Sequence, residues 1–333
     1  MINTYFDLAL FCHPVLAFIT IQHPKMQYKH SNLQYFVLSF LSLVVLRYLS
    51  NSYYSVPADV ALESCSTYDQ PNPIASLYPG NATGTLNGTI AIIPISLMLA
   101  RQLIPPQYGI LEHAYRALLP SFPAGMYPAI VEAVHDHEVQ AFGYKVPDFS
   151  RTGVAFPFVD LLNDNHTSFK WAPSLLMSAG HDIGLKGAMD YGTNTFPAIF
   201  EPSCDAYKHV HNSKKPGTTY FSAKSQGPNT ASLTTLFSSV EEEMFPLEFF
   251  KNFTNQPTFA DGKTCDNMIR LFDTSVTTAP NRIEHVKGTV RIHMPPFAEA
   301  QEWTNAYGLR MDTAFIENNY LPCENFRGYS GFK

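Results

Sequence analysis

From Tyr127 onward, short apolar runs alternate with Gly, Pro and Asp-Asn clusters. This rhythm predicts an antiparallel sheet, because the turn residues leave segments only long enough for strands. Strands are predicted at residues 128–135, 139–145, 153–159, 174–178, 196–201, 207–211, 218–223, 268–274 and 283–292. Before them, a β-type run over residues 89–93 leads into helical spacing. Leu97, Met98, Leu103 and Ile104 recur after Pro94, and Pro105-Pro106 ends the helix. A second helix is predicted over residues 236–250, with Glu241-Glu242-Glu243 facing solvent. Many strands and few helices predict a β-rich α+β domain, closed or nearly closed into a barrel that disposes of sheet edges. Such a barrel can hold one small ligand at its centre.

The N-terminal part has a different texture. Residues 53–89 carry Pro57, Pro71, Pro73, Pro79, Gly80, Gly84 and Gly88 without a sustained period, which predicts an irregular arm. Upstream, the apolar run from Tyr35 to Leu46 follows Lys29 and precedes Ser50-Asn51-Ser52. A basic flank, about a dozen apolar residues and a small-X-small site are the layout of a cleavable signal peptide. The run is short for a membrane span. Residues 1–52 are therefore read as a leader, either signal peptide or membrane anchor, with residues 1–25 an upstream extension if Met26 is the start. Residues 90–333 form a single barrel-like domain.

The compartment implied is the secretory pathway or the exterior. Asn-X-Ser/Thr triplets at Asn81, Asn87, Asn165 and Asn252 make the arm and domain candidates for glycosylation. Without the leader and its Cys12, four cysteines remain, Cys65, Cys204, Cys265 and Cys323, an even set that predicts two disulfides of undetermined connectivity. A net charge of -6 with only 15% charged residues offers no basic face for phosphates, so nucleic acid is not an expected partner. The only membrane contact expected is through an N-terminal anchor. The 14% aromatic content suits either a ring-rich core or a pocket for an apolar ligand.

Three segments carry the chemistry. The first is the β-run and helix ending in Leu103-Ile104-Pro105, and the second is Val131-Glu132-Ala133-Val134-His135-Asp136. The third runs from Ala179-Gly180-His181-Asp182 through Leu185-Lys186-Gly187 to Asp190-Tyr191-Gly192-Thr193-Asn194 and Phe196-Pro197-Ala198-Ile199-Phe200. It reads as a glycine-rich turn, a tyrosine and a return strand. In this order and spacing, over roughly residues 90–205, the segments resemble the acetoacetate decarboxylase-like superfamily. The likeness is to a divergent, fungal-type member. It implies the family's antiparallel barrel and a small, mostly apolar substrate of specialised metabolism. In the family the third segment ends in Tyr-Pro-Lys-Lys, and its lysine forms a Schiff base. Those positions fall here on Thr193 and Asn194, neither of which can form an iminium.

Lys186, among small and apolar neighbours, is the nearest alternative amine, with Lys170 beside Trp171 and Lys145 beside Tyr144 behind it. A strand through Glu132 puts Glu132, Val134, Asp136 and Glu138 on one face and Ala133, His135 and His137 on the other. Lys186, Glu132, His135 and Asp136 are thus the candidate catalytic residues, with a pocket carboxyl as general acid. His135-Asp136-His137 and His209-Val210-His211 lack a third ligand motif, so no metal is expected. Neither a Gly-X-Ser-X-Gly turn nor a nucleotide fingerprint occurs, and no cofactor is expected.

The expected function is a tailoring enzyme of secondary metabolism acting on an apolar small molecule. The favoured reaction is noncovalent cyclisation, including pericyclase chemistry, or isomerisation. The alternatives are a carbon–carbon lyase, a decarboxylase using Lys186, and a secreted non-enzymatic binder.

Overall fold

The structure, a computed structural model, describes residues 70–227, 230–278 and 280–330. All of them fall in the unit Leu62–Lys333. The leader over residues 1–52, the first part of the arm and Cys65 lie outside the described residues.

In chain order the elements are β1 (Ala82–Ser96), α1 (Leu97–Leu103), β2 (Gly109–Ile110), α2 (Glu112–Leu118), β3 (Met126–Ala141), β4 (Tyr144–Lys145) and β5 (Phe149–Asp160). Next come β6 (Phe169–Ser178), α3 (Asp182–Asp190), β7 (Asn194–Glu201), β8 (Lys208–His209), β9 (Thr219–Ser225), β10 (Ser232–Ser239) and α4 (Leu247–Thr254). The last are β11 (Thr258–Phe259), β12 (Thr264–Leu271), β13 (Glu284–His293) and β14 (Gln301–Pro322), followed by a 3-10 turn at Cys323–Phe326.

The pairings close on themselves. β14 bonds β1, β1 bonds β3, β3 bonds β5 and β5 bonds β6. From β6 the ladder continues through β11 and β12 back to β14. A second arc, β7, β9, β10 and β13, also joins β6 to β14. The fold is the expected β-rich α+β barrel with few helices, but β6 runs parallel to both β7 and β11. Parallel neighbours need a crossover. Residues 179–193 supply it as α3, where the sequence pattern suggested only a glycine-rich turn. His181 caps α3 by accepting from the Gly184 amide, and a Cβ on Gly184 would meet the His181 ring nitrogen at 2.6 Å. At the far end Gly192 has φ +83 and sits against Asp261, so the return into β7 requires glycine.

Two expectations are corrected, and one strand is new. The irregular arm ends earlier than residue 89, because β1 begins at Ala82 and its first half is buried between β14 and β3. The helix expected over residues 236–250 is a strand followed by a shorter helix. Leu233, Thr235 and Phe237 turn inward on a period of two along β10, and Pro246 at the N-cap starts α4. The long strand β14 was not anticipated, because polar residues such as Glu302, Asn305 and Asn318 mask its alternation.

Phe249, Phe250 and Phe253 on α4 are at most 1% exposed and pack on one another, Phe249 stacks on Phe158, and Phe158 meets Tyr115. Each such side chain contributes about 2–3 kcal/mol by leaving water. Much of the aromatic content is therefore core. A disulfide joins Cys265 to Cys323 with 5.0 Å between their Cα atoms, and Cys204 is disulfide-bonded as well.

Candidate active site

The barrel formed by β1, β3, β5, β6, β11, β12 and β14 encloses a cavity of about 610 Å³. Side chains at alternate positions reach it from four strands: Glu132 and Asp136 of β3, Lys170 of β6, Asp266, Met268 and Arg270 of β12, and Phe315 and Glu317 of β14. This is the period-two geometry of strands expressed around a ring. The upper wall is apolar, with Val139, Val146, Phe149, Leu175 and Met177, and Phe142, Ile183 and Tyr320 stand exposed at the mouth.

The floor is ionic. The Glu132 carboxylate lies 3.1 Å from Arg270 Nη2, 3.4 Å from Arg151 Nη1 and 3.6 Å from Lys170 Nζ. Arg151 in turn holds Asp136, with Nε donating to Oδ2 at 2.8 Å and Nη2 to Oδ1 at 3.4 Å. Burial alone would raise the Glu132 pKa, but Lys170, Arg270 and Arg151 together hold it well below the usual carboxylate range. Asp136 is shifted the other way, since burial outweighs its Arg151 partner.

Lys170 is the only lysine among the described residues that lines this cavity. Its side chain is 8% exposed. Its Nζ also donates to the Thr254 carbonyl at 3.5 Å, at the C-terminal end of α4. Desolvation lowers its pKa; Glu132 opposes that shift, and the guanidiniums of Arg270 and Arg151 reinforce it. Burial beside other cations favours the neutral, nucleophilic form of a lysine, while a carboxylate partner favours the ammonium.

Arg270 is 2% exposed, and Asn255 positions its strand by accepting from the Arg270 amide at 2.8 Å and donating to the Arg270 carbonyl at 3.2 Å. One nitrogen, Nη2, donates to Glu132, while Nε and Nη1 have no acceptor among the described residues. A buried guanidinium with spare donors in a cavity suits an anionic or carbonyl oxygen of a ligand.

The expected site residues divide. Glu132 and Asp136 face the cavity together, as their shared strand face predicted. His135 does not join them, because it lies on the other face of β3 with its Nδ1 2.9 Å from Ser150 Oγ. Burial lowers its pKa to about 4, against Asp148, which raises it, so the ring is neutral. Lys186 is corrected outright. It sits on the outer face of α3 with its side chain 73% exposed, bonded to Asp190 at 2.5 Å, and that bond raises its pKa. Lys145 is likewise at the surface, paired with Glu138. Thr193, at one of the family's lysine positions, lines the cavity and donates to the Ala172 carbonyl, while Asn194 is exposed.

Of the glycosylation candidates, Asn165 is exposed and Asn81 and Asn252 are half-buried. Asn87 is corrected: it is 4% exposed in mid-β1, between Asp312 and His135, where a glycan has no room. His135, His137 and Asp148 bring ligand atoms within 4.8 Å of one another, a grouping the sequence did not indicate because Asp148 comes from the connection between β4 and β5.

Fold and site together define a closed β-barrel holding a buried amine among guanidiniums and carboxylates. No family model and no curated protein matches the chain. Among solved structures it is similar to the enduracididine biosynthesis enzyme MppR with HEPES buffer bound, at 8% identity over 80% of this chain and 98% of that one, with a TM-score of 0.43. The same enzyme complexed with pyruvate matches at 9% identity over 81% and 96%, with a TM-score of 0.42. An acetoacetate decarboxylase-like enzyme from Sphingomonas wittichii RW1 matches at 7% identity over 73% and 94%, with a TM-score of 0.36.

Proposed function

We propose that the protein is an enzyme in which the Lys170 amine attacks the carbonyl group of an amphipathic small molecule to form an imine. The protonated imine then takes up the electron pair of a carbon–carbon or carbon–hydrogen bond next to it, as in decarboxylation or enamine formation. The observation that carries this reading is the burial of Lys170 in the cavity beside Arg270 and Arg151. The spare donors of Arg270 suit a substrate carboxylate or developing oxyanion, and the apolar wall suits a hydrophobic tail. The lyase reading thus passes from Lys186 to Lys170.

The noncovalent cyclase or isomerase remains the second reading, favoured by the cavity's size and apolar wall. There Lys170 would stay protonated against Glu132, and orientation of the substrate, worth about 7–11 kcal/mol in ideal cases, would do the catalysis. A role in tailoring specialised metabolites fits either chemistry. A secretory compartment is supported by the Cys265–Cys323 disulfide and the exposed Asn165 triplet. Among the described residues no helix is long and apolar enough to cross a membrane.

The test is turnover of a panel of 2- and 3-keto acids with graded apolar tails, followed by substrate loss and carbon dioxide release. Turnover that disappears in Lys170→Met supports imine chemistry. Equal turnover in the variant sinks it in favour of the noncovalent reading, and ligand binding without turnover points to a binder.

A further inference from the structure

Two carboxyl groups on the cavity wall have no part in the ionic floor around Glu132. They are Asp266 of β12 and Glu317 of β14, and a register irregularity brings them together. The β12–β14 ladder runs Cys265 against Leu321, then shifts so that Asn267 meets Asn318 and Met268 meets Glu317. Asp266 faces that bulge, in which Asn319 and Tyr320 of β14 oppose it alone, and such an irregularity can re-aim a side chain. Both carboxyls line the cavity from neighbouring strands. Two buried carboxyls in one site do not both ionise readily, so such a pair favours holding one proton. Cys265, immediately before the bulge, is tied to Cys323, immediately after β14, so a disulfide clamps the same end of the ladder.

The surroundings favour the shared proton. Lys170 and Arg151 act on Asp266, while Arg151 and Asp136 act on Glu317, and Tyr191 lies within the field of both carboxyls. Burial, the largest influence, pushes both carboxyls upward. Among the described residues, one oxygen of the pair, Asp266 Oδ1, has no hydrogen-bond partner, and neither do two nitrogens of the buried Arg270 on the same strand. An acid and an oxygen-binding donor thus lie four residues apart on one strand face.

We propose that Asp266 and Glu317 work as a single proton-carrying pair for a carbonyl substrate bound to Lys170. The proposal rests on the imine reading and supplies its acid and base. Neutral Nζ adds to the carbonyl carbon, forming a C–N bond, and a proton moves from nitrogen to the former carbonyl oxygen. The pair gives its proton to that hydroxyl, the C–O bond breaks, and water leaves. The iminium gains one positive charge as the pair gains one negative charge. The dianionic pair then takes a proton from the carbon next to the iminium, giving a neutral enamine, and can return it to that carbon.

The experiment uses 2-oxobutanoate in deuterium oxide with the full chain. Exchange at its C3 protons is followed by proton NMR, and imine formation by borohydride trapping and intact mass. Wild type should give both adduct and exchange. In Glu317→Gln, whose amide can still bond Asp266, and in Asp266→Asn, the adduct should persist after long incubation while exchange falls about 100-fold or more. Exchange within a few-fold of wild type in both variants overturns the proposal. If wild type gives no adduct, it is the imine reading that has failed. The pair is then judged by carbon-13 titration of the wild-type carboxyls: one proton retained at pH 7 supports the shared proton, and two ionised groups overturn it.

Discussion

Glu132→Gln should be among the most damaging single changes to this barrel, although it alters only one oxygen to nitrogen. The carboxylate accepts three cations at 3.1, 3.4 and 3.6 Å. At an effective dielectric constant of about 20, each contact is worth about 5 kcal/mol before the cost of burying the charges. That cost consumes most of the gain in the native pairs, but it is not refunded when one partner is removed. Arg151 and Arg270 would remain buried with a counter-ion missing, and Lys170 would lose its carboxylate partner. The expected loss is therefore that of a broken buried pair, about 3–5 kcal/mol. Urea denaturation reads it as a lower midpoint at unchanged slope. Removing the Lys170 amine as well should recover part of the loss. Glu132→Gln with Lys170→Met should be more stable than the two single losses added together would make it, by about 0.5–3 kcal/mol. A single variant within 1 kcal/mol of wild type, together with a strictly additive double variant, would refute the view that Glu132 anchors these cations.

Three further outcomes follow. Replacing both Cys265 and Cys323 by alanine opens a loop whose ends are 58 residues apart; loop entropy puts the loss at about 4 kcal/mol, and a change below 1 kcal/mol in urea denaturation would contradict a structural role. His135 has a folded pKa of about 4 against 6.5, so the unfolded chain binds more protons between those values. Stability should fall as pH drops through that window, by up to about 3 kcal/mol, and His135→Gln should flatten the profile; an unchanged slope would count against it. Lys186→Ala should leave keto-acid turnover within about two-fold of wild type, since its amine faces solvent, and a tenfold loss would return that residue to the site.

The sequence made the sheet legible wherever turn residues framed a run that alternated between core and solvent, as in β9, or a short apolar run buried on both faces, as in β3. Glu132 and Asp136 were recognisable for the same reason, because two-residue spacing commits both to one face. Lys170 was weighed and set behind Lys186, and the reason is physical. Phe169, Lys170 and Trp171 are all buried, one face of the strand toward the core and the other toward the cavity, so no alternation marks the start of β6. Lys186 looked buried because glycine and alanine flank it, but α3 turns those small residues toward the cavity and the amine away. Arg151, Arg270, Asp266 and Glu317 are scattered over three strands. Only the closure of β12 on β14 brings the last two together, and no local pattern announces a bulge.

The account turns on which amine meets the carbonyl. Wild-type protein treated with 2-oxobutanoate and borohydride, then digested and mapped by mass spectrometry, should carry the reduced adduct on the peptide containing Lys170. The adduct should be absent from Lys170→Met and present in Lys186→Ala. An adduct on Lys186 or another exposed lysine, or one that survives in Lys170→Met, would contradict the account.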